Sequence, residues 1–221
     1  MINSAVELGD KIEVIRKTVI KANQHSLFSK IQDIGSNNEL IITSPIENGK
    51  IIPLELNHEY YLCIYTSRGL YRCEAEVIDR KREDNMFMAT LKVISKMQKY
   101  QRRQYYRLDC VLSFQYKNED EKEIWNSGII LDISGGGLRF TSNTQLINGE
   151  PLICHIQLNF EDEQKHLYVA GSIVDCNIVD FNTNTYETRV AFDTISNEVR
   201  EVVIRFIFEE ERKRRKKEKG M

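Results

Sequence analysis

The segment Gln101-Arg102-Arg103-Gln104-Tyr105-Tyr106-Arg107 concentrates arginines, and Asp132-Ile133-Ser134-Gly135-Gly136-Gly137 follows further along the chain. A guanidinium is a planar fork that matches phosphate oxygens and guanine edges and can stack on a base. The Asp-x-Ser-Gly-Gly-Gly stretch offers a carboxylate, a hydroxyl and close approach to the backbone in one place. Converging, these two elements would make a pocket for a small anionic nucleotide. Taken singly each has a plainer explanation. A basic run is most often a solvated linker, and a polar glycine turn is most often a hairpin with an Asx cap. Their occurrence together, in this order, favours nucleotide binding.

Two blocks of short strands must position these residues. In the first, Lys11 to Ile15 reads as a strand after Gly9-Asp10, and Glu39 to Thr43 as another, stopped by Ser44-Pro45. Leu54 to Thr66 carries a third, bent strand, and Ser67-Arg68-Gly69 supplies a hairpin turn. Tyr71, Cys73, Ala75 and Val77 alternate with Arg72, Glu74 and Glu76, the period of a half-buried strand. Met86 to Ile94 completes the block. From Ser95 to Arg107 there are Lys96, Lys99, Arg102, Arg103 and Arg107 and no acid, which predicts solvated, mobile backbone.

The second block predicts strands from Leu108 to Phe114, Trp125 to Leu131, Gly137 to Thr141, Leu152 to Leu158, Leu167 to Ile178 and Glu187 to Phe192. Turns at Lys117 to Asp120, Asp132 to Gly136, Asn148-Gly149 and Asn182 to Asn184 separate them. Ile195, Val199, Val202, Val203 and Phe206 then fall on one helical face, with Ser196 or Asn197 as cap and Glu198 in the first turn. The expected fold is all-β: two small antiparallel β-barrels with a C-terminal α-helix. The expected domains are 1–95, a basic linker at 96–107, and 108–221.

Composition removes several classes of function. The chain has 221 residues, 41% hydrophobic and 29% charged, with a formal net charge of −2, which suits an ordinary globular protein and not a nucleic-acid coat. No signal peptide is expected from the mixed polar stretch that follows Met1-Ile2-Asn3-Ser4, and the apolar runs are too short to span a membrane. Cys63, Cys73, Cys110, Cys154 and Cys176 are scattered and read as buried free thiols; His25, His58, His155 and His166 are equally dispersed. Neither a disulfide nor a metal site is expected. No Ser-His-Asp order or P-loop suggests an enzyme. Tyr105 and Tyr106 could stack on a base, but core packing at the strand entry is the expectation, and Trp125 is expected in the core as well. The tail Arg212 to Lys217 reads first as a solvated helix end, then as a contact for an anionic membrane or a partner protein.

At Arg103-x-x-x-Arg107 and Asp132-x-Ser134-x-x-Gly137 the chain resembles the PilZ domain, a bacterial receptor for cyclic di-GMP. The order of the motifs fits, as do a six-stranded barrel and a trailing helix. The first block resembles the N-terminal, split-barrel-like domain of two-domain flagellar-brake PilZ proteins, through Gly9-Asp10-Lys11-Ile12, the Ser44-Pro45 turn and Gly69-Leu70-Tyr71 leading into Glu76-Val77. The resemblance implies that Arg103 and Arg107 wrap the ligand and take its phosphates. It implies that Asp132 accepts from a guanine edge or orients an arginine, and that Ser134 donates to a guanine or phosphate. Gly137, with Gly135 and Gly136 in the same turn, would give the backbone freedom a side chain would deny. Arg102 implies a third fork stacked on an additional guanine, hence an intercalated cyclic di-GMP dimer.

One departure is the last strand, Thr188-Arg189-Val190-Ala191-Phe192, where many PilZ domains carry a glycine; Arg189 is expected to face solvent. The implied protein is a cytoplasmic, non-catalytic receptor whose domains rearrange on binding cyclic di-GMP, with no other cofactor. It would regulate flagellar motility by contact with a motor or stator protein at the flagellar base. Control of exopolysaccharide production is the alternative output. An oligonucleotide-binding barrel is the alternative class. Against it stand the net acidic charge and the lack of an exposed aromatic series on a basic strand face.

Overall fold

The alternation of apolar and polar residues becomes two sheet systems in the computed structural model, which describes residues 2, 4–17, 26–84, 86–118, 124–218 and 220. His25 and residues 119–120 of the expected turn after Lys117 lie outside the described residues. The chain divides into two units, Met1–Arg102 and Arg103–Met221.

The first unit contains β1 (Lys11–Arg16), β2 (Ser26–Gly35), β3 (Glu39–Thr43), β4 (Ile46–Glu47), β5 (Lys50–Ile51), β6 (Glu59–Thr66), β7 (Gly69–Glu83), β8 (Met86–Val93) and β9 (Gln98–Lys99). The main sheet runs β6-β1-β2-β3-β8-β7-β9, and pairing of β6 with β7 rolls it closed. Cys73, Ala75 and Val77 of β7 all point into the core with Ile12, Val14, Leu62 and Leu91, as the alternation predicts. The tight turn at Ser67–Arg68 pairs Thr66 with Gly69, whose φ of +117° is costly for any residue with a Cβ. The third expected strand begins only at Glu59, after a turn at Leu56–Asn57 in which Asn57 adopts a left-handed conformation at φ 58°.

The first part of the basic stretch departs from expectation. Gln98 and Lys99 pair with Arg72 and Tyr71, the Tyr100 amide donates to the Leu70 carbonyl at 2.8 Å, and Met97 is buried. Charge forecasts a solvated side-chain face, but the backbone of this segment satisfies itself on the edge of β7.

The second unit contains β10 (Arg107–Asn118), β11 (Asn126–Ser134), β12 (Gly137–Ser142), β13 (Pro151–Asn159), β14 (Gln164–Asp180), β15 (Thr185–Phe192) and α1 (Asn197–Glu218). The six strands close into an antiparallel barrel in the order β10-β11-β12-β15-β14-β13. Phe114, Tyr116 and Phe140 fill its interior, with the Phe140 ring centre 4.9 Å from Phe114 and 5.0 Å from Tyr116. Gly128 lets that cluster close: a Cβ there would stand 2.7 Å from Phe114 and 2.9 Å from Phe140. Ser196 caps α1, its Oγ accepting from the Val199 amide at 3.3 Å. Val203, Phe206 and Ile207 bury the apolar face against the barrel core, and the helix continues through the basic run to Glu218.

Trp125 is not a core residue. It is half-buried on the barrel exterior, edge-on to His155 and Tyr168, with the Lys117 ammonium 5.2 Å from its ring centre. Tyr106 is likewise 61% exposed, whereas Tyr105 is half-buried.

Candidate functional site

Strand register assembles the second motif. Gly135 and Gly136 form a two-residue turn, so Ser134 faces Gly137, Ile133 faces Leu138, and Asp132 faces Arg139. On the other side β10 sets Arg107 opposite Ser134 and Asp109 opposite Asp132. Continuing around the barrel, Gly137 faces Ala191 and Arg139 faces Arg189 on β15. Ala191 then faces Ser172, and Arg189 faces Asp175 on β14. Two neighbouring rows result. One runs Arg107, Ser134, Gly137, Ala191, Ser172, small residues beyond an arginine. The other runs Asp109, Asp132, Arg139, Arg189, Asp175, all charged.

Ion pairs hold the charged row. The Asp132 side chain is 9% exposed and its Oδ2 accepts from Arg139 Nε at 2.6 Å. Arg139 also reaches Glu187 at 2.8 Å. The hydrogen bond to Asp132 outweighs desolvation and raises the Arg139 pKa above its usual value. Arg189 is half-exposed, as expected, and lies 3.3 Å from Glu187 and 3.6 Å from Asp175. Ser134 Oγ donates to the Gly137 carbonyl at 3.1 Å and accepts from the Gly136 amide at 3.3 Å, which locks the turn.

The glycines are placed by close approach. A Cβ on Gly137 would stand 2.2 Å from the Val190 carbonyl oxygen, and one on Gly171 2.4 Å from that of Ala191. Glycines on β12 and β14 therefore flank Val190 and Ala191, and β15 itself carries none. Tyr105 packs on the turn, where a Cβ on Gly135 would come within 2.8 Å of its ring. Its hydroxyl accepts from Arg200 of α1, whose guanidinium carbon is 5.1 Å from the Tyr105 ring centre.

Of the sequence-predicted site residues, Arg107, Asp132, Ser134, Gly135, Gly136 and Gly137 are thus brought together by strand pairing. Arg103 is exposed in the segment leading into β10. Arg102 is held within the first unit: its Nη1 lies 2.7 Å from Glu13 Oε2, its Nη2 donates to the Tyr65 hydroxyl, and Tyr65 donates to Glu13 at 2.9 Å. The Glu13 side chain is 6% exposed. Burial alone would raise its pKa, but hydrogen bonds from Ser26, Tyr65 and Arg102 bring it below the usual carboxylate value. Burial and the Glu13 carboxylate push the Tyr65 phenol up to about 12.

Arg139, Glu187 and Glu13 are not singled out by the sequence, and Tyr105 is half-buried on the glycine turn and not in the barrel core. Arg139 was within reach, because a two-residue turn at 135–136 makes it the partner of Asp132. Glu13 stands 89 positions from Arg102, and no local pattern announces that pair. Among the described residues no group of three His, Cys, Asp or Glu side chains is arranged to hold a metal ion. No described helix is long and apolar enough to cross a membrane.

Comparison with known families matches residues 101–209 to the PilZ domain and residues 7–93 to the family described as flagellar protein YcgR. The solved structure of the Bacillus subtilis inhibitor of motility, MotI/DgrA, aligns with a TM-score of 0.78 at 20% identity, over 95% of this chain and 100% of that one. Escherichia coli YcgR in complex with c-di-GMP aligns with a TM-score of 0.53 at 16% identity, over 96% of this chain and 88% of its own. At these identities the likeness establishes the fold. A search of curated proteins returns no match.

Proposed function

The chain belongs to the PilZ family through residues 101–209 and to the YcgR flagellar-protein family through residues 7–93, and we propose that it is a non-catalytic cyclic di-GMP receptor that regulates flagellar motility. The observation that carries this reading is the register that sets Arg107 against Ser134 and Asp132 beside it, next to a glycine turn. In it, Arg103 and Arg107 close on the ligand phosphates. Each charge-assisted contact contributes about 1.5–3 kcal/mol before the cost of ordering the segment. Arg139 occupies Oδ2 of Asp132, leaving Oδ1 to accept from a guanine edge. Gly135, Gly136 and Gly137 let the ligand approach the backbone.

Arg102 takes the additional guanine of a second ligand molecule once it leaves Glu13, giving a stoichiometry near two. Rearrangement of residues 101–107 changes the arrangement of the two domains and presents a surface to a motor or stator protein at the flagellar base, within the cytoplasm. The YcgR-type first domain supports this output.

The test is swimming speed in the native host while cyclic di-GMP is raised by an inducible cyclase. Cells carrying the wild-type chain should slow, and cells carrying Arg103→Ala or Asp132→Ala should keep their speed. Equal slowing in all three strains would refute the assignment.

A further inference from the structure

A groove of about 530 Å³ in the second unit lies between the arginine motif and α1. It is lined by the apolar Tyr106, Ile207 and Phe208 and by Arg212, Arg215 and Lys216, with Glu211 among them. Phe208 is 65% exposed and Tyr106 is 61% exposed, an unusual outlay of aromatic surface beside a helix that already buries Val203, Phe206 and Ile207.

The charges around the groove are distributed unevenly. Cations elsewhere on this stretch are engaged: Arg205 with Glu163 at 2.5 Å, Lys213 with Glu210 at 2.8 Å, and Arg214 with the Asp109 carbonyl. In the groove lining, Arg215 only approaches Glu211 at 3.9 Å, and among the described residues Arg212 and Lys216 pair with no carboxylate. Glu211, the acid of the groove, accepts instead from the Tyr106 hydroxyl at 3.1 Å. An apolar concavity under unengaged cations is complementary to an acidic chain bearing an apolar anchor. A concavity receives a protruding side chain and fits a flat lipid surface less well.

We propose that this groove docks an acidic segment of a partner protein, inserting one aromatic or branched apolar side chain between Tyr106 and Phe208. Tyr106 lies between Arg103 and Arg107, so the Tyr106–Glu211 bond ties the arginine segment to the groove wall. This coupling rests on the nucleotide reading above: closure of the arginines on a ligand moves Tyr106 and resets the groove.

The probe is a fluorescein-labelled peptide of about a dozen Asp and Glu residues around a central Phe-Leu pair, titrated with the full chain at low salt. Controls are the same peptide with serines in the centre, its lysine counterpart, and phosphatidylglycerol vesicles. The acidic Phe-Leu peptide should bind about tenfold tighter than either control peptide, and Phe208→Ser or the Arg212→Glu, Lys216→Glu double variant should lose about tenfold, at unchanged melting temperature. Equal binding of the serine peptide, variants that bind as wild type, or capture by vesicles in preference to peptide would overturn the docking site. These arms need no nucleotide, so they stand even if cyclic di-GMP does not bind. In a protein that does bind it, cyclic di-GMP should shift peptide affinity about threefold or more, and an unchanged affinity would overturn the coupling.

Discussion

Replacing Glu13 by glutamine keeps the shape of the side chain and removes the charge that holds Arg102. Tyr65 can still donate to the amide oxygen, so the first barrel loses little packing. A charge-assisted hydrogen bond contributes about 1.5–3 kcal/mol. The Arg102 side chain is 41% exposed, and solvent screening reduces the hold to about 1 kcal/mol. A ligand that recruits Arg102 must break this contact, so Glu13→Gln should tighten cyclic di-GMP binding about fivefold. Isothermal titration of wild type, Glu13→Gln, Arg102→Ala and the double variant makes a complete cycle. Tightening should vanish in the Arg102→Ala background, where nothing is released. Unchanged or weaker binding by a folded Glu13→Gln protein would refute the argument that Glu13 withholds Arg102 from the ligand.

The same carboxylate sets a pH dependence. Its folded pKa lies below the ordinary 4.5, so its contribution to stability is present above that value and is lost as pH falls through the lower folded one. Thermal melts of wild type and Glu13→Gln should therefore differ by a constant amount from about pH 7 to 5 and converge below about 4.5. Gly137→Ala forces a Cβ against the Val190 carbonyl and should cost about 1–3 kcal/mol, read as a lowered urea midpoint with unchanged slope. Arg139→Met leaves the buried Asp132 carboxylate without its main partner, and urea denaturation should show a loss of about 1–3 kcal/mol.

Both barrels and the helix were legible because their patterns are local. Tyr71, Cys73, Ala75 and Val77 announce β7 by period, and Val199, Val203 and Phe206 announce α1 by spacing. β2 escaped because its signal is blurred: Phe28 is 45% exposed, Ser29 is buried, and the register shifts between Ile31 and Asp33. β4 and β5 are too short to show a period. In the basic stretch, side-chain charge concealed a backbone that pairs with β7.

The candidate site divides in the same way. The motif residues and the Asp132–Arg139 pair follow from one turn and its register. The Glu13–Arg102 pair and the seat of Tyr105 on Gly135 depend on where distant strands meet, which no spacing encodes. Trp125 misled because a large aromatic is usually a core residue, whereas here it sits edge-on to His155 and Tyr168 in a surface cluster.

The most direct test of the proposed receptor is calorimetric titration of the full chain with cyclic di-GMP, with GTP as the control nucleotide. Saturable binding at micromolar concentrations or tighter, with two ligands per chain, is expected, and should be absent with GTP and abolished by Arg107→Ala together with Asp132→Ala. No binding, or binding undiminished in that double variant, would contradict the account.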